Sequence, residues 1–299
     1  MSKASELTSA AFLVRPSAIL SIVFWLDQAT LIENALDEDL TSSLVFLSVL
    51  MANVAEHDIN TPDPSDWRAI SRQPVTAYRV AQNLSMPYET VRRHLTGLDK
   101  RGHCVREQGG YLIPAEVLGR SEFAEMIKQA GTLAQKLRND LIFQGAKFPG
   151  SGRVESQDHE RRISRLSARF FLRGIRIATD ALQVDIITAF VFFATHRANL
   201  GHLAYARSRT SGEPEYVWPE DVRLPATVLS LSRDMRLPYE TVRRHIGILI
   251  EKGICTKAKN GRIRVRSEAM ASPALLKAAQ DTWGEASHFI TSAFAGPRA

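Results

Sequence analysis

Apolar residues recur at helical spacing along most of this chain, and each such pattern occurs twice. Leu44, Leu47, Met51 and Val54 mark one face of a helix over about 40–55. A second, equally apolar stretch covers about 185–200. Longer helical segments precede both, over about 17–35 and 163–183. Further along, Val91, Leu95 and Leu98 fall at i, i+4, i+7, and Val242, Ile246 and Leu249 repeat that spacing. This predicts amphipathic helices over about 88–101 and 239–252, each preceded by a short helix (about 75–84 and 226–235). Gly102 and Gly253 then suit the left-handed residue that ends a helix. Next the period changes to two. In Arg262-Ile-Arg-Val-Arg266 the cations fall on one face of a strand and the apolar pair on the other. Gly109-Gly110 and Asn260-Gly261 are the dipeptides of tight two-residue turns, so a β-hairpin is expected in each half. Helical tails follow at about 121–144 and 273–294. Thr61-Pro-Asp-Pro64 and Gly212-Glu-Pro214 mark polar connectors.

The doubling is literal at one place. Pro-Tyr-Glu-Thr-Val-Arg-Arg-His stands at 87–94 and again at 238–245, a shift of 151. In the same register Trp67 meets Trp218, Pro74 meets Pro225 and Thr76 meets Thr227. Cys104 meets Cys255, and Gly110 meets Gly261. Further upstream the shift is 146, which pairs Ser21, Phe24 and Leu26 with Ser167, Phe170 and Leu172. It also pairs Val45, Phe46, Ala52 and Asn53 with Val191, Phe192, Ala198 and Asn199. The chain is a tandem duplication, with expected domains 1–146 and 162–299 and a linker at 147–161 that contains Pro149-Gly-Ser-Gly152. Drift erases surface identity first. An unchanged polar octet inside diverged copies therefore points to recognition of the same thing twice.

Charge sharpens the picture. The net charge is +6, but residues 1–149 carry 15 Lys/Arg against 17 Asp/Glu and residues 150–299 carry 23 against 15. A basic second half suits a polyanionic partner. The two cysteines occupy matching positions where a small apolar residue enters a strand, so both are expected to be reduced core residues in a cytoplasmic protein. The apolar run Ala18–Leu26 is too short for a membrane span, and its counterpart in the second copy is interrupted by Arg165, Arg169 and Arg173. A buried helix satisfies both copies, so neither export nor a membrane span is expected. No Gly-rich phosphate loop, metal-ligand cluster or nucleophile motif stands out. The expectation is a protein that is not an enzyme and takes no cofactor and no metal.

Leu84 through Gly102, and equally Met235 through Gly253, resemble the turn and recognition helix of bacterial winged helix-turn-helix transcription regulators. The helices flanking each motif look most like the MarR type. The resemblance covers about 45 residues per copy. It implies a mainly α protein with small β-hairpin wings: two tandem winged helix-turn-helix domains, each flanked by N- and C-terminal helices. It also implies sequence-specific binding of double-stranded DNA, a role in transcription regulation, and a place at the bacterial nucleoid.

The residues themselves support that implication. Residues near the start of a recognition helix reach base edges in the major groove. There Tyr88, Glu89, Thr90, Arg92 and Arg93, and their counterparts Tyr239, Glu240, Thr241, Arg243 and Arg244, are the candidate contacts. Arginine offers a two-pronged donor to guanine, and glutamate accepts from cytosine. Glu89 and Glu240 serve equally well to hold an arginine in place. His94 and His245 are read as packing residues. For phosphate contact from the wings, Arg106 is the candidate in the first copy and Lys257, Lys259, Arg262 and Arg264 in the second. Phe24, Trp25, Phe170 and Phe171 suit the core better than an effector pocket, and no effector is legible. A two-winged-helix replication initiator and a winged-helix protein-interaction scaffold are the alternative functions.

Overall fold

Both copies fold to the same order of elements in a computed structural model that describes residues 13–55, 72–150, 156–203, 218 and 221–295. The first copy runs through α1 (Val14–Leu36), α2 (Leu40–Asn53), α3 (Ala77–Leu84) and α4 (Tyr88–Lys100). It continues with β1 (Val105–Glu107), β2 (Gly110–Leu112), α5 (Ala115–Leu118) and α6 (Ser121–Phe143). The second repeats this as α7 (Gln157–Leu182), α8 (Ile186–Leu200), α9 (Val228–Asp234) and α10 (Tyr239–Glu251). It ends with β3 (Cys255–Lys257), β4 (Ile263–Val265), α11 (Ser267–Met270) and α12 (Pro273–Ala293). The fold is mainly α, with two antiparallel hairpins. Trp67 and the two Pro-containing connectors lie outside the described residues.

Local chemistry sets the boundaries in matching ways. Asp39 caps α2 by accepting from Ser42 N at 2.8 Å, and Asp185 caps α8 by accepting from Thr188 N at 3.0 Å. Thr76 and Thr227 cap the short helices α3 and α9. Ser85 and Arg236, at matching positions, adopt the left-handed conformation that turns α3 into α4 and α9 into α10. Helix α7 starts at Gln157, inside the stretch expected to be linker. Ser156 Oγ accepts from His159 N at 3.2 Å, and Asp158 and Glu160 lie in the first turn, where the helix dipole favours acids.

The hairpins correct one expectation. In the first, Glu107 pairs with Gly110, so the two-residue turn is Gln108-Gly109 and Gly110 belongs to the strand. A Cβ on Gly110 would lie 2.2 Å from Val75 O, because residue 75 pairs with Tyr111 alongside. In the second, Ala258 N donates to Arg262 O and Gly261 N to Ala258 O, both at 2.9 Å. This is a three-residue loop whose last residue, Gly261, takes positive φ while Asn260 does not. The extra residue means that Gly110 and Gly261 match in sequence but not in structure.

Each hairpin is held to its copy by one buried asparagine. Asn53 Nδ2 donates to Gln73 O (2.8 Å) and Tyr111 O (3.1 Å), while its Oδ1 accepts from Ile113 N at 2.9 Å. Asn199 repeats this with Leu224 O (2.7 Å), Ile263 O (3.3 Å) and Val265 N (2.8 Å). An arginine completes the grip: Arg72 Nη1 donates to Ile113 O, and Arg223 Nη1 to Val265 O.

By contacts the chain divides into two compact units. One comprises Met1–Leu26, Lys136–Pro149 and Gly174–His288; the other Asp27–Gln135, Gly150–Arg173 and Phe289–Ala299. Each of the long helices α1, α6, α7 and α12 thus contributes residues to both. In the first unit Trp25 packs on Phe193 with ring centroids 5.3 Å apart, and a Cβ on Gly174 would strike the Trp25 ring at 2.1 Å. In the second, Phe170 stacks on Phe289 at 5.1 Å and Phe46 lies 5.5 Å from Phe123. Phe24, Trp25, Phe170 and Phe171 are all buried. Among the described residues α1 is the one helix long and apolar enough to cross a membrane, and 67% of its apolar window is buried. Helices α7 and α8 meet the same criterion only as a pair bent by 96°.

Cys104 and Cys255 are buried and unbridged, and burial pushes both thiols up to about 12. His196 of α8 is also buried, beside Arg223 and Arg15, and burial together with those cations lowers it to about 3. The unfolded chain therefore binds this proton first, and stability falls as pH drops from about 6.5 toward about 3, by ~1.4 kcal/mol per pH unit. The matching position in the first copy is Leu50. His196→Leu is expected to remove that acid slope, as read from urea unfolding at a series of pH values.

Candidate functional site

The octet sits at the start of α4 and of α10, and both helices bury one face completely. Val91, Leu95 and Leu98 are sealed in one copy, and Val242, Ile246 and Leu249 in the other, against α2 and α8 respectively. That fixes what points outward. Tyr88 and Tyr239 are 45% and 46% exposed, so the copies present this ring alike. Glu89, Arg92 and Arg93, and Glu240, Arg243 and Arg244, are exposed, while Thr90 and Thr241 are half-buried.

Within each octet the glutamate engages the arginine three residues on. Arg92 Nε donates to Glu89 Oε2 at 2.9 Å, with Nη2 of the same guanidinium 2.8 Å from that oxygen, and Arg243 Nε donates to Glu240 Oε2 at 2.7 Å. Each carboxylate raises its partner's pKa, so these guanidiniums stay charged. The exposed face of α4 borders an open groove of about 570 Å³ lined by Glu89, Thr90, Arg92, Arg93, Thr96, Gly97 and Lys100. The last three correspond to Gly247, Ile248 and Glu251 in α10. The helix starts are identical and the helix ends are not.

The octet histidines are bonded rather than merely packed. His94 Nδ1 lies 2.9 Å from Ser42 Oγ, and His245 Nδ1 lies 2.7 Å from Thr188 Oγ1. Each hydroxyl belongs to the residue whose backbone N–H is capped by Asp39 or Asp185. Burial is the first cause that lowers both rings below the ordinary histidine range.

Around the hairpins the cations separate. Arg106, Lys257, Lys259 and Arg262 are exposed. Ile263 and Val265 are fully buried, so the alternation along β4 holds. Arg264 is half-buried and donates from Nε to Arg223 O at 3.4 Å, so the protein itself engages it. Arg266 pairs with Glu268 at 3.4 Å.

Sequence reasoning missed several positions. Asn53, Asn199, Arg72 and Arg223 place the hairpins beside the octet helices. Their signal in the sequence is identity in register among diverged neighbours, Asn53 with Asn199 and Arg72 with Arg223. Tyr78 and Leu229, exposed at matching sites next to the Thr76 and Thr227 caps, differ between the copies and so carry no such signal.

Among the described residues each unit has a small cavity that is the equivalent of the other's under the duplication. One, of about 40 Å³, is lined by Leu50, Val54, Arg161, Ser164 and Arg165, among others. The other, of about 20 Å³, has His196, Leu200, Arg15, Ala18 and Ile19 at those positions. Both are far below the several hundred Å³ that an organic ligand occupies. Among the described residues no group of three or more His, Cys, Asp or Glu side chains converges as a metal site. No family model matches this chain, and no curated protein or solved structure does either.

Proposed function

We infer that this chain is a sequence-specific double-stranded DNA-binding transcription regulator, with α4 and α10 as two matching recognition helices in one polypeptide. In this reading α3–α4 and α9–α10 are helix-turn-helix motifs, the hairpins are their wings, and the protein works on the bacterial chromosome. The observation that carries it is the identical octet, which in both copies sets its tyrosine, glutamate and two arginines on the exposed face with the same Nε-mediated Glu–Arg pair. A solvated surface has no need to keep eight residues and one Glu–Arg pairing through a duplication that changed nearly everything around them. Arginine held in a fixed pose at a helix start is suited to guanine edges.

Covalent fusion makes the second half-site contact intramolecular and raises its effective concentration. The target is two similar half-sites, spaced by about 10–10.5 bp or a multiple if both lie on one face of the duplex. Selection from a random double-stranded DNA pool tests this. Recovery of paired, similar half-sites supports the reading and shows whether they are inverted or direct. No enrichment even at low salt sinks it, and directs attention to protein partners.

The hairpins divide the labour unequally, the second offering exposed Lys257, Lys259 and Arg262 to phosphates and the first Arg106 beside Glu107. Replacing Lys257, Lys259 and Arg262 together by alanine is expected to weaken every duplex alike and to lower the slope of log affinity against log salt by about 3. A changed sequence preference with an unchanged salt slope would contradict that role.

A further inference from the structure

We propose that His245 is a positioning residue for the second DNA contact: its neutral ring holds the neighbouring Arg244, and a second proton on the ring releases it. The inference rests on the DNA-binding reading above.

Proton arithmetic assigns the direction of every bond. Thr188 Oγ1 lies 2.7 Å from Asp185 Oδ2, and a carboxylate only accepts, so the single hydroxyl proton of Thr188 goes to Asp185. The same oxygen lies 2.7 Å from His245 Nδ1 and must therefore accept, which puts the proton of the neutral ring on Nδ1. Nε2 is then a bare acceptor. It faces Arg244 Nη2 at 3.2 Å, a group that only donates. The result is a one-way relay, Arg244 to His245 to Thr188 to Asp185, anchored on the capped start of α8 and ending on an octet arginine. Arg244 is otherwise a long exposed side chain, and this contact restricts where its guanidinium points.

A proton on Nε2 sets two donors against each other and places imidazolium beside guanidinium. The charged groups facing the ring are Asp185, 3.8 Å from Nδ1, and Arg244. The carboxylate favours the charged ring, while burial and the arginine oppose it. The first copy lacks the clamp. His94 Nδ1 reaches Ser42 Oγ at 2.9 Å, Ser42 Oγ is 3.4 Å from Asp39 Oδ2, and no hydrogen bond joins Arg93 to His94. Asp39, Glu38, Arg93 and Arg101 all face that ring, so its protonation breaks no bond to an octet arginine and meets carboxylates as well as cations. Acid sensitivity of DNA contact is thereby assigned to the second octet.

Two readouts on the full chain test this. Nitrogen-15 NMR of histidine-labelled protein, with the His245 signal identified through His245→Gln, is expected to show the Nδ1–H tautomer at about pH 7.5. The Nε2–H tautomer would overturn the proposal whatever the protein binds. Fluorescence anisotropy with the duplexes enriched by selection is the second readout, at about pH 7.5 and about pH 5.5. Wild type is expected to lose affinity across that interval, by at most about tenfold for one ring titrating at or below its ordinary value. His245→Gln keeps an acceptor but does not titrate, so its ratio of affinities at the two pH values is expected to lie near one, while His94→Gln keeps the wild-type ratio. Equal ratios for wild type and His245→Gln overturn the proposal. If the tautomer is as described but wild type binds no duplex at either pH, it is the DNA reading that fails, and the proposed role falls with it.

Discussion

Replacing Arg243 and Arg244 together by alanine is expected to lower affinity for the selected two-site duplex by roughly 30- to 25,000-fold, given about 1–3 kcal/mol for each well-placed arginine–base contact. The same is expected of Arg92 and Arg93 at the other half-site. The loss has two sources. The direct one is the removed contact. The indirect one is Glu240, or Glu89, which without its arginine stands exposed at the helix start as an uncompensated negative charge near DNA phosphates. Stability should barely move, because all four arginines are exposed and alanine is a good helix former. Thermal melts separate the two effects. On duplexes carrying a single half-site, each double variant should be damaged on a different contact, and the two-site advantage of wild type should vanish in both. Equal loss by either variant on all duplexes, random ones included, would mean that the octets supply charge and not recognition.

Much of the fold was legible because hydrophobic spacing and caps act locally. The core face of α4 follows from Val91, Leu95 and Leu98 alone, and its end from Gly102. Register shifts of 151 and 146 then transferred each assignment to the second copy. What failed depended on neighbours distant in sequence. Gly109-Gly110 looks like a turn dipeptide, yet Gly110 is in the strand because Val75 packs against its backbone. Asn260-Gly261 looks like a two-residue turn, yet the loop takes a third residue and leaves Asn260 with ordinary φ. The start of α7 was masked by polar composition, since Ser156 and two acids make a helix start without an apolar stripe. The outward face of the octet helices could be read from periodicity. The partners of His94 and His245 could not, since Ser42 and Thr188 lie 52 and 57 residues away.

The largest loss of stability is expected at the asparagines that grip the hairpins. Asn199→Ala removes three hydrogen bonds to backbone, those to Ile263 O and Val265 N buried and that to Leu224 O part-buried. The carbonyl of Ile263 still accepts from Ala226 N at 3.0 Å, so that group is not stranded. Val265 N–H is: its acceptor was Asn199 Oδ1, and Val265 is itself fully buried. An orphaned buried donor, plus the lost tie to Leu224 O, costs on the order of 3 kcal/mol. Asn53→Ala is expected to cost as much through Ile113 N–H. Asn199→Asp discriminates this mechanism from simple loss of packing. The carboxylate still accepts from Val265 N–H, but it sets a buried negative charge against the carbonyl oxygens of Leu224 and Ile263, so its folded-state pKa is raised. The penalty is then full at neutral pH and shrinks as the pH falls and the carboxyl regains a proton to donate. Urea unfolding at about pH 7.5 and about pH 5 should therefore show a deficit relative to wild type that is constant for Ala and narrows for Asp on acidification. An Asp deficit independent of pH, or an Ala deficit below about 1 kcal/mol, would show that the hairpins are held by packing instead.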